Sequence, residues 1–146
     1  MSSNNVELVL SLQMGAGTDA AAVAGDEAAT AAYLASIAAV LDEGFECTMR
    51  FPGMGPVVYR GGVEALRAAW MDRLKHWAEH RSELEGVAEA GNKVVLFERV
   101  VVRSAPSAPD TVLALANVWT VEGNKLVSAD FNLPQAEARA AYLKAA

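Results

Sequence analysis

The sequence predicts an α+β fold in which helices come first and an antiparallel sheet follows. Residues 1 to about 41 are rich in alanine, and their apolar residues recur at helical spacing. From Phe45 onward several segments alternate apolar and polar residues, which is the pattern of half-buried strands. Helical segments followed by a run of strands are typical of the α+β class.

The alanine-rich part is predicted to form consecutive helices. The first ends at the glycine-containing break at residues 15–17. Thr18 or Asp19 can cap the next helix, and Asp26 can cap another, because their side-chain oxygens accept backbone N–H bonds at a helix start. In the helix after Asp26, Tyr33 recurs at helical spacing with other apolar residues, so we expect this helix to pack on a core.

The remaining chain is predicted to form a sheet with one long helix inserted. A strand at residues 45–51 is followed by a proline- and glycine-rich loop at 52–56 and a short return strand at 57–59. A helix is expected from residue 61 to about 80, with an apolar stripe at steps of three and four. Further strands are predicted at residues 83–88, 93–103, 110–121 and 126–133, followed by a helix that begins at Pro134.

Composition excludes several classes of protein. The chain has 146 residues, 12 basic and 18 acidic, for a net charge of −6, and 53% of its residues are apolar. This is enough apolar material for one folded domain, and the acidic balance disfavours nucleic acid and anionic membranes as partners. The single cysteine, Cys47, excludes an internal disulfide. The first residues lack the pattern of a signal peptide, so we expect a cytoplasmic protein.

The order and spacing of several segments resemble the nuclear transport factor 2-like superfamily, in particular its SnoaL-like and limonene-epoxide-hydrolase-like branches. The resemblance implies one SnoaL-like domain over residues 1–146, with a curved sheet that wraps around helices as a cone with an apolar pocket. It also implies a homodimer that pairs through the outer sheet face. The segments that carry it are residues 5–9, 59–66, 96–100, 118–126 and 131–133.

The same resemblance implies which strand faces line the pocket: those that carry Arg99, Asn117 and Ala129. Period-2 alternation adds other residues to these faces. Tyrosines and residues of the strand at 45–51 complete the expected lining. The candidate ligand-binding residues are Asn117, Trp119, Phe97, Val101, Ala129, Leu115, Tyr33, Tyr59, Phe45 and Cys47.

Epoxide hydrolysis by the mechanism of the similar enzymes is not expected. Those enzymes use an aspartate–arginine–aspartate set, with a tyrosine and an asparagine that help to position water. Arg99 matches the arginine, but the two acid positions fall on Val101 and Ala129. The tyrosine and asparagine positions fall near Phe45 and Cys47, which cannot supply the same chemistry.

Arg99 and Asp130 are the predicted catalytic residues. An arginine inside a cone needs an anion, so Arg99 either anchors a ligand carboxylate or enolate or pairs with an acid of the chain or reaches the rim. Asp130 lies one residue from an acid position of the similar enzymes. A β-bulge would turn Asp130 inward as a general base, with Arg99 or Asn117 stabilising the oxyanion, whereas strict alternation places Asp130 outside.

The other polar candidates each have two interpretations. Asn117 either binds a ligand or satisfies a buried backbone group, and Tyr33 and Tyr59 either point a hydroxyl at the pocket or pack with a solvated tip. His76 and His80 have the i, i+4 spacing of two metal ligands on one helix. Because both histidines point away from the apolar stripe of the predicted helix, we expect them to be solvated and to bind no metal. We expect no cofactor either.

These observations leave three functions open. The first is a cofactor-independent cyclase, isomerase or hydrolase that acts on a small hydrophobic molecule with a carbonyl or an epoxide. The second is a non-catalytic protein that binds a small apolar ligand. The third is a dimeric interaction module. An acid inside the cone would favour the enzyme, because fold alone does not give function.

Overall fold

The computed structural model describes residues 4–14, 17–51 and 54–143, and the α+β class is confirmed. Residues 15, 16, 52 and 53, which belong to two of the predicted breaks, lie outside the described residues. The helices are α1 (Asn4–Leu10), α2 (Ala20–Ala24), α3 (Glu27–Ala38), α4 (Val63–Leu74) and α5 (Gln135–Tyr142). None of them is long and apolar enough to cross a bilayer. The strands are β1 (Leu41–Met49), β2 (Val57–Arg60), β3 (Glu79–Ala90), β4 (Lys93–Arg103), β5 (Thr111–Glu122) and β6 (Lys125–Pro134).

Two aspartates begin the helices that the sequence predicts them to cap. Asp19 Oδ1 accepts a hydrogen bond from the backbone N–H of Ala21 at 3.1 Å, at the start of α2. Asp26 Oδ1 accepts one from Ala29 at 3.1 Å, at the start of α3. Asp19 also accepts the backbone N–H of His80 at 2.9 Å, so the cap of α2 attaches this helix to the edge strand β3.

The six strands form one curved, open sheet in the order β2-β1-β6-β5-β4-β3. Four of the five strand pairs are antiparallel, but β1 and β6 run parallel. The prediction of an antiparallel sheet is therefore wrong for this one pair. The parallel pair is possible because the long segment between β1 and β6 contains α4 and the other strands.

Both faces of the sheet are covered. On the inner, concave face Leu96 and Trp119 belong to the main hydrophobic core, together with residues of α1, α3 and α4. On the outer face Phe97 and Val118 belong to a second cluster that α5 covers through Ala138. The guanidinium carbon of Arg139 lies 4.2 Å from the centre of the Phe97 ring. The homodimer predicted on the outer face stays a prediction.

Helix α4 is shorter than predicted. It ends at Leu74, and the backbone N–H of Ala78 already donates to the carbonyl of Arg103 at 2.7 Å, where β3 begins to pair with β4. At its other end Gly62 adopts a φ of 72°, and a Cβ atom there would lie 2.8 Å from the carbonyl oxygen of Glu43. Gly62 is therefore required for α4 to approach β1 closely.

Candidate functional site

Three cavities lie between the concave face of the sheet and the helices. The first, of about 610 Å³, is lined on the sheet by Val100, Val102, Leu113 and Leu115. The second, of about 830 Å³, lies beside α1 and β3 and reaches Glu98 and Asn117. The third, of about 90 Å³, lies deeper and is mostly apolar. Arg73 of α4 lines all three cavities, so it stands where they meet.

A belt of polar side chains crosses three neighbouring strands beside the first and second cavities. Asn117 Nδ2 donates to Glu98 Oε2 at 2.6 Å, and Asn117 Oδ1 accepts the backbone N–H of Asn132 at 3.1 Å. Because only the amide oxygen can accept that N–H, the amide orientation of Asn117 is fixed and its nitrogen must face Glu98. Glu98 and Asn117 are 6% and 8% exposed, so this pair is interior.

A β-bulge in β6 completes this belt. Asn117 occupies one position of β5 between residues paired with Leu133 and Asp130, so two β6 residues lie opposite it. Asn132, one of the two, has a left-handed φ of 65°, which asparagine tolerates better than most residues. The bulge points the backbone N–H of Asn132 at Asn117 and brings the Asn132 side chain to the first cavity.

Glu98 has the electrostatic environment of a proton-transfer group. Burial raises the pKa of its carboxyl, while the charge of Arg73 and the hydrogen bond from Asn117 partly oppose this shift. No ion pair neutralises Glu98 within the described residues. A buried carboxyl with a raised pKa and one fixed donor has the features of a group that takes up and releases a proton.

Two further titratable groups border the same space. Burial lowers the pKa of the Arg73 guanidinium, and the nearby charge of Glu98 opposes this. His80, only 4% exposed, has its pKa lowered to about 3 by burial and then by the charge of Arg73. His80 is therefore neutral at pH 7, and neither ring nitrogen has a hydrogen-bond partner among the described residues.

The predicted inward placement of Arg99 is wrong. Glu98 faces the interior, so Arg99 lies on the opposite face of β4, with Phe97. Its side chain is 47% exposed, and its guanidinium is 4.0 Å from the Glu83 carboxylate. The second cavity touches Arg99 and Val101 as well as Glu98, so it extends around the sheet edge at β3. Of the three alternatives for Arg99, the structure favours pairing within the chain, with Glu83.

Asp130 lies on the outer face, as strict alternation predicts. It pairs in register with Thr48 and with Val118 of the outer cluster, and its carboxylate forms an ion pair with Arg50. The bulge that would have turned Asp130 inward exists, but it begins after Asp130 and presents Asn132 instead. Asp130 and Arg99 are therefore not brought together with Asn117 in one site.

The predicted ligand-binding residues divide into cavity-lining and structural groups. Leu115 lines the first cavity, Asn117 the second, and Trp119 and Tyr33 both the second and the third. The Tyr33 hydroxyl donates to the carbonyl of Leu12 at 2.7 Å, and burial raises the pKa of Tyr33 to about 12. This tyrosine therefore binds the segment that follows α1 and stays neutral. Residues outside the linings of the three cavities are Phe45, Cys47, Tyr59, Phe97 and Ala129.

Each residue of this last group has a structural position. Phe45 stacks on Trp119 in the main core with ring centres 6.1 Å apart, and Ala129 is buried in the same core. The Cys47 thiol is buried beside the carbonyl of Ala65 at 3.8 Å, and burial raises the pKa of Cys47 to about 12. The Tyr59 hydroxyl donates to Asp72 at 2.7 Å. Phe97, expected in the pocket, lies under α5 on the outer face.

The expectation that both histidines are solvated is wrong for His80. Because α4 ends at Leu74, His76 and His80 do not share a helix, and His80 is buried in β3. His76 is exposed and lies edge-on to Phe51 at 6.1 Å, at the first cavity. No group of three or more possible metal ligands occurs in the part of the chain that the structure describes.

Glu98 and Arg73 are the site residues that sequence reasoning missed, although each left a signal. Glu98 and Arg99 are adjacent charges in an otherwise apolar strand, so alternation requires one of them to face inward. Arg73 is three residues after Trp70 and seven after Leu66, and therefore lies on the apolar stripe of α4. A charge on a buried stripe indicates a polar interior.

Comparison with known proteins defines the class. The model of the SnoaL-like domain matches residues 20–129, and the chain therefore belongs to the SnoaL-like family of the nuclear transport factor 2-like superfamily. No curated protein sequence is detectably similar to the chain.

Solved structures with the same fold share little sequence with the chain. A nuclear transport factor 2-like protein of unknown function from Burkholderia pseudomallei has a TM-score of 0.61 at 21% identity, over 98% of this chain and 100% of its own. A candidate SnoaL-like polyketide cyclase from Jannaschia sp. has a TM-score of 0.63 at 17% identity, with coverages of 98% and 93%. TerC, crystallised with polyporic acid, has a TM-score of 0.63 at 16% identity, with coverages of 97% and 100%. Such likenesses show the fold alone.

Proposed function

We propose that the protein is a cofactor-independent enzyme that transfers a proton on a small hydrophobic carbonyl compound, in a cyclase, isomerase or hydrolase reaction. The observation that carries this proposal is Glu98, a buried carboxyl that lines the second cavity with a raised pKa and no ion pair within the described residues. Membership of the SnoaL-like family supports a small-molecule enzyme. A candidate polyketide cyclase among the structural neighbours supports the same class of reaction.

In this proposal Glu98 acts as the base. Its carboxylate removes a proton from the carbon next to the carbonyl, and the electron pair of the broken C–H bond moves to give an enolate oxygen. The Trp119 side chain lines the same cavity, and its indole N–H has no hydrogen-bond partner among the described residues. Trp119 therefore offers a donor for the developing oxyanion. Glu98 then returns the proton to carbon or oxygen, so that no net proton is gained or lost.

Asn117 positions the base. Its amide cannot rotate without losing the bond to Asn132, so it presents one N–H to Glu98 throughout the reaction. A hydrogen bond to the carboxylate lowers the pKa of Glu98 and so offsets part of the effect of burial. The hydrogen bond and burial thus act on the proton affinity of Glu98 in opposite directions.

A non-catalytic binding protein is the second candidate, and the first cavity favours it. This space of about 610 Å³ has the size of a small-molecule site, and its wall on β4 and β5 consists of valine and leucine side chains. The neighbour crystallised with polyporic acid is consistent with small-molecule binding in this fold. A binding protein would hold such a ligand without proton transfer.

Proton exchange separates the two candidates without knowledge of the natural substrate. The purified protein is incubated in D₂O with 2-tetralone or 4-phenyl-2-butanone, and loss of the protons next to the carbonyl is followed by ¹H NMR. We expect protein-dependent exchange, lost in Glu98→Gln and retained in Glu64→Gln, which changes an exposed carboxylate on α4. Binding of the ketones without exchange would support the binding protein. Exchange that persists in Glu98→Gln would exclude Glu98 as the base.

A further inference from the structure

Arg73 is a cation at the cavities that forms no ion pair within the described residues. It lies in the last turn of α4, on the side of the helix that faces the sheet, and borders all three cavities. Its guanidinium forms no ion pair with any carboxylate of the described residues, and burial lowers its pKa. By contrast Arg50, which also lines the first cavity, pairs with Asp130. The charge of Glu98 acts on this guanidinium without an ion-pair contact, and a guanidinium held away from bulk water is costly unless an anion contacts it. Within the described residues Arg73 therefore lacks a contacting anion.

The unpaired polar groups around Arg73 are predominantly donors. A guanidinium and an indole N–H can only donate, and a neutral imidazole offers one donor and one acceptor. His80 lines the first and second cavities together with Arg73, and both of its ring nitrogens are unpartnered among the described residues. The indole N–H of Trp119 is unpartnered as well. The group that would complete these contacts is therefore an acceptor with negative charge.

The rest of the first cavity specifies an apolar body. Phe51 and Trp77 lie opposite the valines and leucines of β4 and β5. Among the described residues that line this cavity, Glu137 carries the negative charge and is exposed on α5. Arg50 and Arg73 carry positive charge. The positive charge lies at Arg73 on the inner end, where the first cavity meets the other two.

We propose that the ligand is a small apolar carboxylic acid. One carboxylate oxygen of the ligand binds the Arg73 guanidinium, and the other accepts a hydrogen bond from a ring nitrogen of His80. The apolar part of the ligand fills the first cavity. This inference rests on the proposed function, because Arg73 and His80 border the second cavity, which Glu98 lines, as well as the first. It also adds a physical reason for the activity of Glu98: a carboxylate held at Arg73 offsets the positive charge that otherwise lowers the pKa of Glu98. Substrate binding would thereby make Glu98 a stronger base.

Paired probes of equal shape and different charge test the inference. Binding of 2-naphthoate, 4-phenylbutanoate and decanoate is measured by isothermal titration calorimetry against the corresponding primary amides. We expect at least one acid to bind more tightly than its amide by about tenfold or more, because the amide cannot form an ion pair with Arg73. In Arg73→Gln this preference is lost, whereas Arg67→Gln, an exposed arginine on the same helix, retains it.

Each other outcome overturns the inference. Equal binding of acids and amides by the wild-type protein, no binding of any acid at millimolar concentration, or an acid preference that survives in Arg73→Gln would each exclude Arg73 as the anion site. If Arg73→Gln does not fold, Arg73→Lys provides the test, since it keeps the charge but loses the bidentate geometry and should weaken the preference. Failure of the enzyme proposal has a different signature: acids bind through Arg73, but no proton exchange depends on Glu98.

Discussion

The substitution Asn117→Leu removes the centre of the polar belt without opening a cavity. Leucine has the same number and branching of side-chain heavy atoms as asparagine and is not smaller, so the main loss is two hydrogen bonds: the one to Glu98 at 2.6 Å and the one from the Asn132 backbone at 3.1 Å. Asn117 is 8% exposed, so both hydrogen bonds lie in the interior. Both the Asn132 N–H and the Glu98 carboxyl would be left buried and unsatisfied.

The magnitude follows from these two groups. Each unsatisfied buried partner costs about 1–3 kcal/mol, so we expect the free energy of unfolding to fall by roughly 3 kcal/mol. For a domain of this size 1 kcal/mol corresponds to about 3 °C in Tm, so the Tm should fall by about 9 °C. Asn92→Leu, which changes an exposed asparagine in the β3–β4 turn, is the matched control and should stay within about 0.5 kcal/mol of wild type.

The loss should also depend on pH. Without the donor from Asn117 the pKa of Glu98 rises further, because a hydrogen bond that stabilises the carboxylate is gone. An acid whose pKa is raised in the folded state contributes stability at low pH that is lost as pH rises through the folded pKa. Urea denaturation should therefore show a larger deficit for Asn117→Leu at pH 8 than at pH 5. A deficit below about 1 kcal/mol, or one equal at both pH values, would refute this account of the belt.

Three further substitutions test other parts of the structure. The pKa of His80 is lowered to about 3 in the folded protein, so the unfolded chain takes up the His80 proton at higher pH and the free energy of unfolding falls as pH drops below 6.5. Denaturation measured at pH 7 and at pH 5 should therefore show a fall in this free energy that is about 2 kcal/mol smaller for His80→Phe than for the wild type. Asp130→Asn breaks the half-buried pair with Arg50, and we expect a cost of about 1 kcal/mol with no change in proton exchange, whereas loss of exchange would return Asp130 to the site. Gly62→Ala places a Cβ 2.8 Å from a carbonyl oxygen at a left-handed φ and should cost about 2 kcal/mol in thermal unfolding, while Gly55→Ala, with open space around it, should be nearly neutral.

Alternation in β4 predicts the strand and its bounds but not which face is inside. The run from Val94 to Phe97 is buried on both sides, because helices cover the concave face and α5 covers the outer one. The hydrophobic pattern therefore does not tell which alternate residues of β4 face inward. A shift of one residue would place Arg99 inside and Glu98 outside. The resemblance favoured Arg99, and only the hydrogen bond to Asn117 in the next strand decides for Glu98.

Tertiary contacts explain the other differences. The residues after Leu74 contain no proline or glycine that would end a helix, and α4 ends because Ala78 pairs with Arg103 in β4. This long-range contact, invisible in a local pattern, also moves His80 from a helix surface to the interior. The caps at Asp19 and Asp26, in contrast, depend on neighbouring residues alone and are confirmed.

The C-terminal helix has a consequence for how the protein is handled. Gln135, its first residue, donates to the backbone carbonyl of Glu98 at 3.1 Å and to the side chain of Glu85 at 3.1 Å. The strand position that carries the interior acid is thus held from a segment close to the end of the described chain. A fusion partner or affinity tag joined after Tyr142 would disturb these two hydrogen bonds of Gln135, and a truncation that removes Gln135 would eliminate them. Activity screens should therefore use protein with an unmodified C-terminal helix.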